Sequence, residues 1–158
     1  MKIVIIDGHP DPDRARLIHA LADEYAAGAE ESCHEVRRFD VADIDFPLLR
    51  SAKAFKDELP PSAIAEVQDA CVWSDHLVLL YPLWLGTMPA LLKGFLEQTF
   101  RPDFAFDNGA RGWPQALLDG RTARVVDADI RLPLDIRCAQ PQEFGAQYPQ
   151  VRRLRADT

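Results

Sequence analysis

Two uninterrupted aliphatic runs, Ile3–Ile6 (IVII) and Leu77–Leu80 (LVLL), constrain this chain more than any other feature. A strand with one face in water alternates apolar and polar residues. A run without alternation has to be covered on both faces, which is the condition of a strand in a parallel sheet flanked by helices. Both runs are followed by a loop and then by helical periodicity. After Asp7-Gly8-His9-Pro10, residues Leu17, Leu21 and Tyr25 recur at helical spacing up to about Glu31. After Tyr81-Pro82-Leu83-Trp84-Leu85-Gly86, Pro89 suits the first turn of a helix whose apolar stripe is Leu91, Leu92, Phe95, Leu96 and Thr99.

Between these units, His34–Asp40 (HEVRRFD) reads as a second strand with the charge of a sheet edge. A loop rich in Asp and Pro runs from there to Pro61, and Ser62 is placed to cap a helix with Ile64, Val67 and Cys71 on one face. A polar loop with Gly109 and Gly112 leads to Leu117-Leu118, and Asp119-Gly120 turns into a fourth strand, Arg121–Asp127. Strand, helix, strand, helix, strand, helix, strand predicts an α/β fold, a doubly wound parallel sheet with helices on both faces. The flavodoxin-like order 2-1-3-4-5 puts the loop after Ile6 beside the loop after Tyr81, at the carboxyl ends of neighbouring strands where such sheets bind ligands. A fifth strand is not evident; Ile130–Ile136 is the only candidate, in a tail with Pro133, Pro141 and Pro149.

Composition narrows the function. The 158 residues suit one domain, and a net charge of -7 argues against a nucleic-acid surface, which needs excess Lys and Arg. No stretch of about 20 apolar residues spans a membrane, and the segment before Gly8 is too short for the core of a signal peptide. Cys33, Cys71 and Cys138 are odd in number and widely spaced, as expected of free thiols in the cytoplasm. Cys71 lies on an apolar helix face and reads as packing. His19, His34 and His76 have no partner at ligand spacing, so no metal is expected. Ser74-Asp75-His76 holds the residue types of a triad, but consecutive positions do not converge as one.

The loop His9–Arg16 is a phosphate candidate on physical grounds. It precedes a helix amino terminus, whose free amides attract anions, and Arg14 and Arg16 can add charge-assisted contacts. Asp11 and Asp13 are unfavourable neighbours for an anion, and the two arginines are equally read as solvated helix-end charges. Trp84 can present an aromatic face to a flat ligand, with the amides of Leu83, Trp84 and Leu85 donating to its edge, Gly86 turning the backbone and Pro82 stiffening the entry. From spacing alone, Trp84 is as readily a plug at a strand end.

Gly8-His9-Pro10-Asp11-Pro12, then Tyr81–Gly86 (YPLWLG), Met88–Phe95 (MPALLKGF) and Phe104-Ala105-Phe106, resemble the flavodoxin-like NAD(P)H:quinone oxidoreductase family over residues 1–126. The resemblance implies a bound flavin, FAD or FMN, passing a hydride from NADH or NADPH to a quinone, usually in a homodimer. It implies that His9, Arg14, Ala15, Arg16 and Leu17 hold the phosphate end and that Pro82, Leu83, Trp84, Leu85 and Gly86 hold the ring; it names no catalytic acid or base. The chain differs from the family at three places. Ala15 stands near the position of a phosphate-binding hydroxyl. Asp103 stands for a glycine, with a residue type that tolerates a left-handed backbone. After Val126 the pattern ends, Asp127 and Asp129 bring negative charge to the sheet end, and 127–158 forms a divergent segment of the same domain. A binding or regulatory subunit with weak flavin affinity, and a shortened variant without turnover, remain as alternative readings.

Overall fold

The computed structural model describes residues 1–107, 115–129 and 136–138. Its elements are β1 (Lys2–Asp7), α1 (Leu17–Glu31), β2 (Glu35–Asp40), a 3-10 turn (Val41–Asp43), α2 (Ala52–Asp57), α3 (Ser62–Trp73), β3 (His76–Leu83), α4 (Ala90–Thr99), the short β4 (Phe106–Asp107) and β5 (Gln115–Ala116), β6 (Thr122–Asp129) and β7 (Ile136–Cys138). The main sheet has the order β2-β1-β3-β6-β7. Its first four strands are parallel, as the doubly wound reading expects. The fifth place is taken by β7, which pairs antiparallel to β6 from Val126↔Cys138 to Ala128↔Ile136. The edge of β6 is therefore paired by a returning segment of the tail rather than by another βα unit. Of the expected strand over 130–136, residues 130–135 lie outside the described residues, as do the loop with Gly109 and Gly112 and the last twenty positions.

The aliphatic runs occupy the middle of this sheet. Val4, Ile5, Ile6 and Val78 are fully buried, with one apolar cluster on each face. α3 and α4 cover Val4, Ile6, Leu79 and Tyr81 with Ile64, Val67, Leu92 and Phe95. α1 covers Ile3, Ile5, Val78 and Leu80 with Ile18 and Ala22. Phe100 and Phe104 pack against the first cluster. Cys71 is buried there, and desolvation pushes its thiol up to about 12, so it packs and does not act as a nucleophile.

Local details depart from the sequence expectation in three ways. Pro61 and Pro89, not Ser62 and a residue before Pro89, sit at the helix N-caps, where their carbonyls accept the first helical bonds from Ala65 and Lys93. The Asp/Pro-rich loop contains α2, which has no amphipathic period to announce it. Ser51 caps it by accepting from the Ala54 amide, and the buried Arg101 guanidinium donates to the carbonyls of Ala54 and Glu58. β3 also runs two residues further than Tyr81. Pro82 is tolerated inside it because β1 pairing ends at Asp7↔Leu80, so beyond that point only β6 adjoins the strand. Asp103 adopts φ +66°, the left-handed conformation expected for it. No helix among the described residues is long and apolar enough to cross a membrane.

Candidate functional site

The strand order brings the β1 and β3 loops together at the carboxyl end of the sheet. The Gly8 amide donates to the Leu80 carbonyl at 2.7 Å. A Cβ at Gly8 would lie 2.6 Å from Leu92 Cδ2 and 3.0 Å from the Leu80 oxygen, so only glycine lets the loop leave β1 between β3 and α4. Across this junction the His9 ring meets the Trp84 ring edge-on, centroids 6.1 Å apart.

The loop after β1 is held by a repeating device. Each odd side chain accepts from the amide two residues on: Asp7 from His9, His9 Nδ1 from Asp11, Asp11 from Asp13, and Asp13 from Ala15. These are successive side-chain turns of the kind Asp favours, extended here by an imidazole. The amides at 9, 11, 13 and 15 are thus already satisfied. Arg16 is paired with Asp11 at 2.6 Å and Asp13 at 3.4 Å, and Arg14 with Asp40 at 2.7 Å and Asp43 at 2.9 Å. Both arginines are about half exposed, so these pairs are weak and exchangeable. α1 starts at Leu17 behind Arg16 with no side-chain cap, and the first helical bond is given by Ala20. The amides of Leu17, Ile18 and His19 therefore have no acceptor among the described residues, which leaves an anion-seeking helix start.

Beneath the loop lies a buried charge network that sequence spacing did not disclose. Asp7 is fully buried and accepts from His19 Nδ1 at 2.5 Å and from Arg38 Nη2 at 3.0 Å. Arg38 also donates to Asp40 at 2.7 Å and to Asp23. His19, expected to lack partners, is 1% exposed and bonds the Asp11 carbonyl through Nε2 at 2.8 Å. Asp7, His19 and Asp40 place ligand-type atoms within 4.8 Å of one another, but Arg38 bridges the two carboxylates and already supplies the cation there. Burial and the neighbouring charge of His19 hold the His9 imidazole below its ordinary value.

At the other wall, Trp84 and Thr87 exchange amide-carbonyl bonds at 2.8 and 3.1 Å, closing a two-residue hairpin turn. Its central residues, Leu85 at φ +52° and Gly86 at φ +79°, both have positive φ, the signature of a type I′ turn. The Trp84 amide is consequently used within the turn, while the Leu85 amide has no partner among the described residues. Pro82 is buried, Leu83 is half-buried, and Trp84 is 41% and Leu85 97% exposed. Leu85 thus carries the strain of a left-handed backbone without burial in return. Replacing it with Asn, which tolerates that region, raises stability by about 1 kcal/mol, read as a higher urea midpoint. An unchanged midpoint would show that the turn is unstrained.

A cleft of about 530 Å³ lies at the opposite, amino end of the sheet between Tyr25, His34, His76 and Thr122, away from these loops. The exposed Trp84 and Leu85, the open amides and the half-exposed Arg14 and Arg16 lie at the carboxyl end instead.

Comparison with known proteins gives a consistent fold. The pattern of a family described as the flavodoxin-like fold matches residues 1–128. A ribosyldihydronicotinamide dehydrogenase-like protein of Penicillium crustosum is 28% identical over 153 residues, covering 80% of this chain and 56% of that protein. An FMN-dependent NADH:quinone oxidoreductase of Ruegeria pomeroyi is 29% identical over 127 residues, covering 68% of this chain and 60% of that one. The chain thus spans little more than half the length of these relatives. The structure of an FMN-dependent NADH-azoreductase from Bacillus anthracis, in complex with FMN, superposes with a TM-score of 0.68 at 16% identity, over 98% of this chain and 83% of that one.

Proposed function

Given that this chain belongs to the flavodoxin-like fold family, we propose that it is a flavoprotein oxidoreductase that uses FMN or FAD to move a hydride from NADH or NADPH to a quinone. The observation that carries the reading is the pairing of an uncapped helix start with an exposed aromatic turn across the β1–β3 junction. Such a pair fits a ligand with an anionic end and a flat aromatic end. The names of the relatives, an NADH:quinone oxidoreductase and a ribosyldihydronicotinamide dehydrogenase-like protein among them, support it.

The residues present fit a flavin at both ends. The open amides of Leu17 and Ile18, with Arg16 turned from its carboxylates, would hold the phosphate, while Arg14, Ala15 and His9 shape the loop around it. Trp84 would lie against the ring and the open Leu85 amide would donate to its edge, on a turn set by Pro82, Leu83 and Gly86. A flavin held there supplies the hydride-carrying chemistry; the chain's own part is to bind, orient and shield the ring. The neutral His9 ring packs beside Trp84 and closes the floor between the two ends. A second copy, in a homodimer, would cover the exposed Leu85 and complete the open surface. A cytoplasmic location accords with the free Cys33 and Cys71.

Titration of the chain with FMN and with FAD, followed by flavin fluorescence, tests this. Saturation at about one flavin per chain is expected, followed by quinone-dependent NAD(P)H oxidation. Trp84→Ala weakens flavin about tenfold, equal to about 1.4 kcal/mol, without lowering the unfolding midpoint. A folded chain that binds neither flavin overturns the enzyme reading. Binding without turnover favours the second reading, a binding or regulatory subunit, which draws on the self-paired Asp11–Arg16–Asp13 cluster.

A further inference from the structure

We infer that His19, as an imidazolium donating on both sides, is a positioning residue that fixes the 8–16 loop for the phosphate end of the ligand. The inference rests on the flavin reading for what the loop holds, but not for how the loop is held.

The protonation state follows from the partners. Nε2 faces the carbonyl of Asp11 at 2.8 Å, and a carbonyl can only accept, so Nε2 carries a proton. Nδ1 faces Asp7 Oδ2 at 2.5 Å. Asp7 also accepts from Arg38 and from the His9 amide, which marks it as an ionised acceptor, so Nδ1 carries a proton as well. The neighbouring imidazole behaves as the complement: His9 Nδ1 lies 3.0 Å from the Asp11 amide and 3.2 Å from the Asp11 carbonyl, and burial and the charge of His19, its ring 5.2 Å away, favour the neutral form that accepts from the amide. Two adjacent histidines divide the work, one charged and donating, the other neutral and accepting.

The position of His19 gives the clamp its purpose. It sits on the first turn of α1, reaches back to the last residue of β1, and grips Asp11, the middle link of the side-chain relay from Asp7 to Ala15. A neutral His19 has one donor for two acceptors and must release one of them, freeing either the strand end or the loop. The groups facing it are Asp7 from β1, Arg38 and Asp40 from β2, His9, Asp11 and Arg14 from the loop, and Asp23 of its own helix through Arg38. Burial lowers the His19 value, but the bond to Asp11 and the bond and charge of Asp7 outweigh it and leave it raised. A raised folded value means that the clamp is complete below the ordinary imidazole range and is lost as pH rises through the folded value.

The test compares FMN with riboflavin, which has the same ring and no phosphate, on the full chain and on His19→Gln from about pH 6 to about pH 9. A Gln side chain carries its donor at one end only, so it serves one acceptor. The variant is expected to bind FMN about tenfold more weakly at the acid end, with riboflavin unchanged, and the difference for FMN closes as pH rises. Equal losses for both ligands, or no loss for FMN, overturn the inference. If the unaltered chain binds neither ligand, the flavin reading fails by itself. The clamp is then decided by amide hydrogen exchange at Asp11, Asp13 and Ala15: exchange at least about tenfold faster in the variant, with α3 unchanged, supports it, and unaltered exchange overturns it.

Discussion

Asp7→Ala unfolds at a markedly lower urea concentration, with a loss of about 3 kcal/mol. Asp7 is fully buried and is the common acceptor for His19, Arg38 and the His9 amide. Removing one partner of a buried ion pair costs about 3–5 kcal/mol, because the remaining charge is stranded out of water. The lower end applies here, since Arg38 keeps Asp40 and Asp23 and His19 can release its proton. Asp7→Asn keeps the shape and one acceptor and loses less. A midpoint shift worth under about 1 kcal/mol for the alanine variant would show that the network merely decorates the strand end. Because most domains are stable by only about 5–15 kcal/mol, the expected loss is a large share of the total.

Phe95→Ala has a comparable or larger effect, about 3–5 kcal/mol, for a different reason. Phe95 is fully buried in the cluster between α4 and the sheet and meets Phe46 edge-on at 5.8 Å. Truncation removes apolar contact and leaves a cavity that Leu92, Ile64 and the sheet cannot fill without moving backbone. The loss is independent of pH, unlike anything that passes through His19. A loss under about 1.5 kcal/mol would mean that the loop bearing Phe46 collapses into the space. Urea unfolding at two pH values separates the two variants.

The site was legible in the sequence only at its ends. Gly8-His9-Pro10 and Trp84-Leu85-Gly86 could be placed in neighbouring loops because Ile3–Ile6 and Leu77–Leu80 both demand central strands. The helix start at Leu17 could be read as an anion-seeking end from periodicity alone. What lay between was hidden. The relay through Asp7, His9, Asp11 and Asp13 turns the acidic residues, which looked merely repulsive to an anion, into the loop's internal scaffold. α2 was invisible because six residues carry too little periodicity and its support comes from Arg101, forty-odd positions away. β7 was unreadable because an antiparallel return needs only three residues with backbone to offer.

Sequence by itself determined the layer architecture and the parallel order of four strands. Those depend on which residues must leave water, and hydrophobic pattern is a local, periodic property that survives in one dimension. The tertiary structure alone decided the chemistry of the site's floor. Asp7, His19, Arg38 and Asp40 come from β1, α1 and β2, and no spacing rule relates them. A charge acquires its protonation state and its cost only once burial removes the solvent that would otherwise screen it and folding supplies its partners.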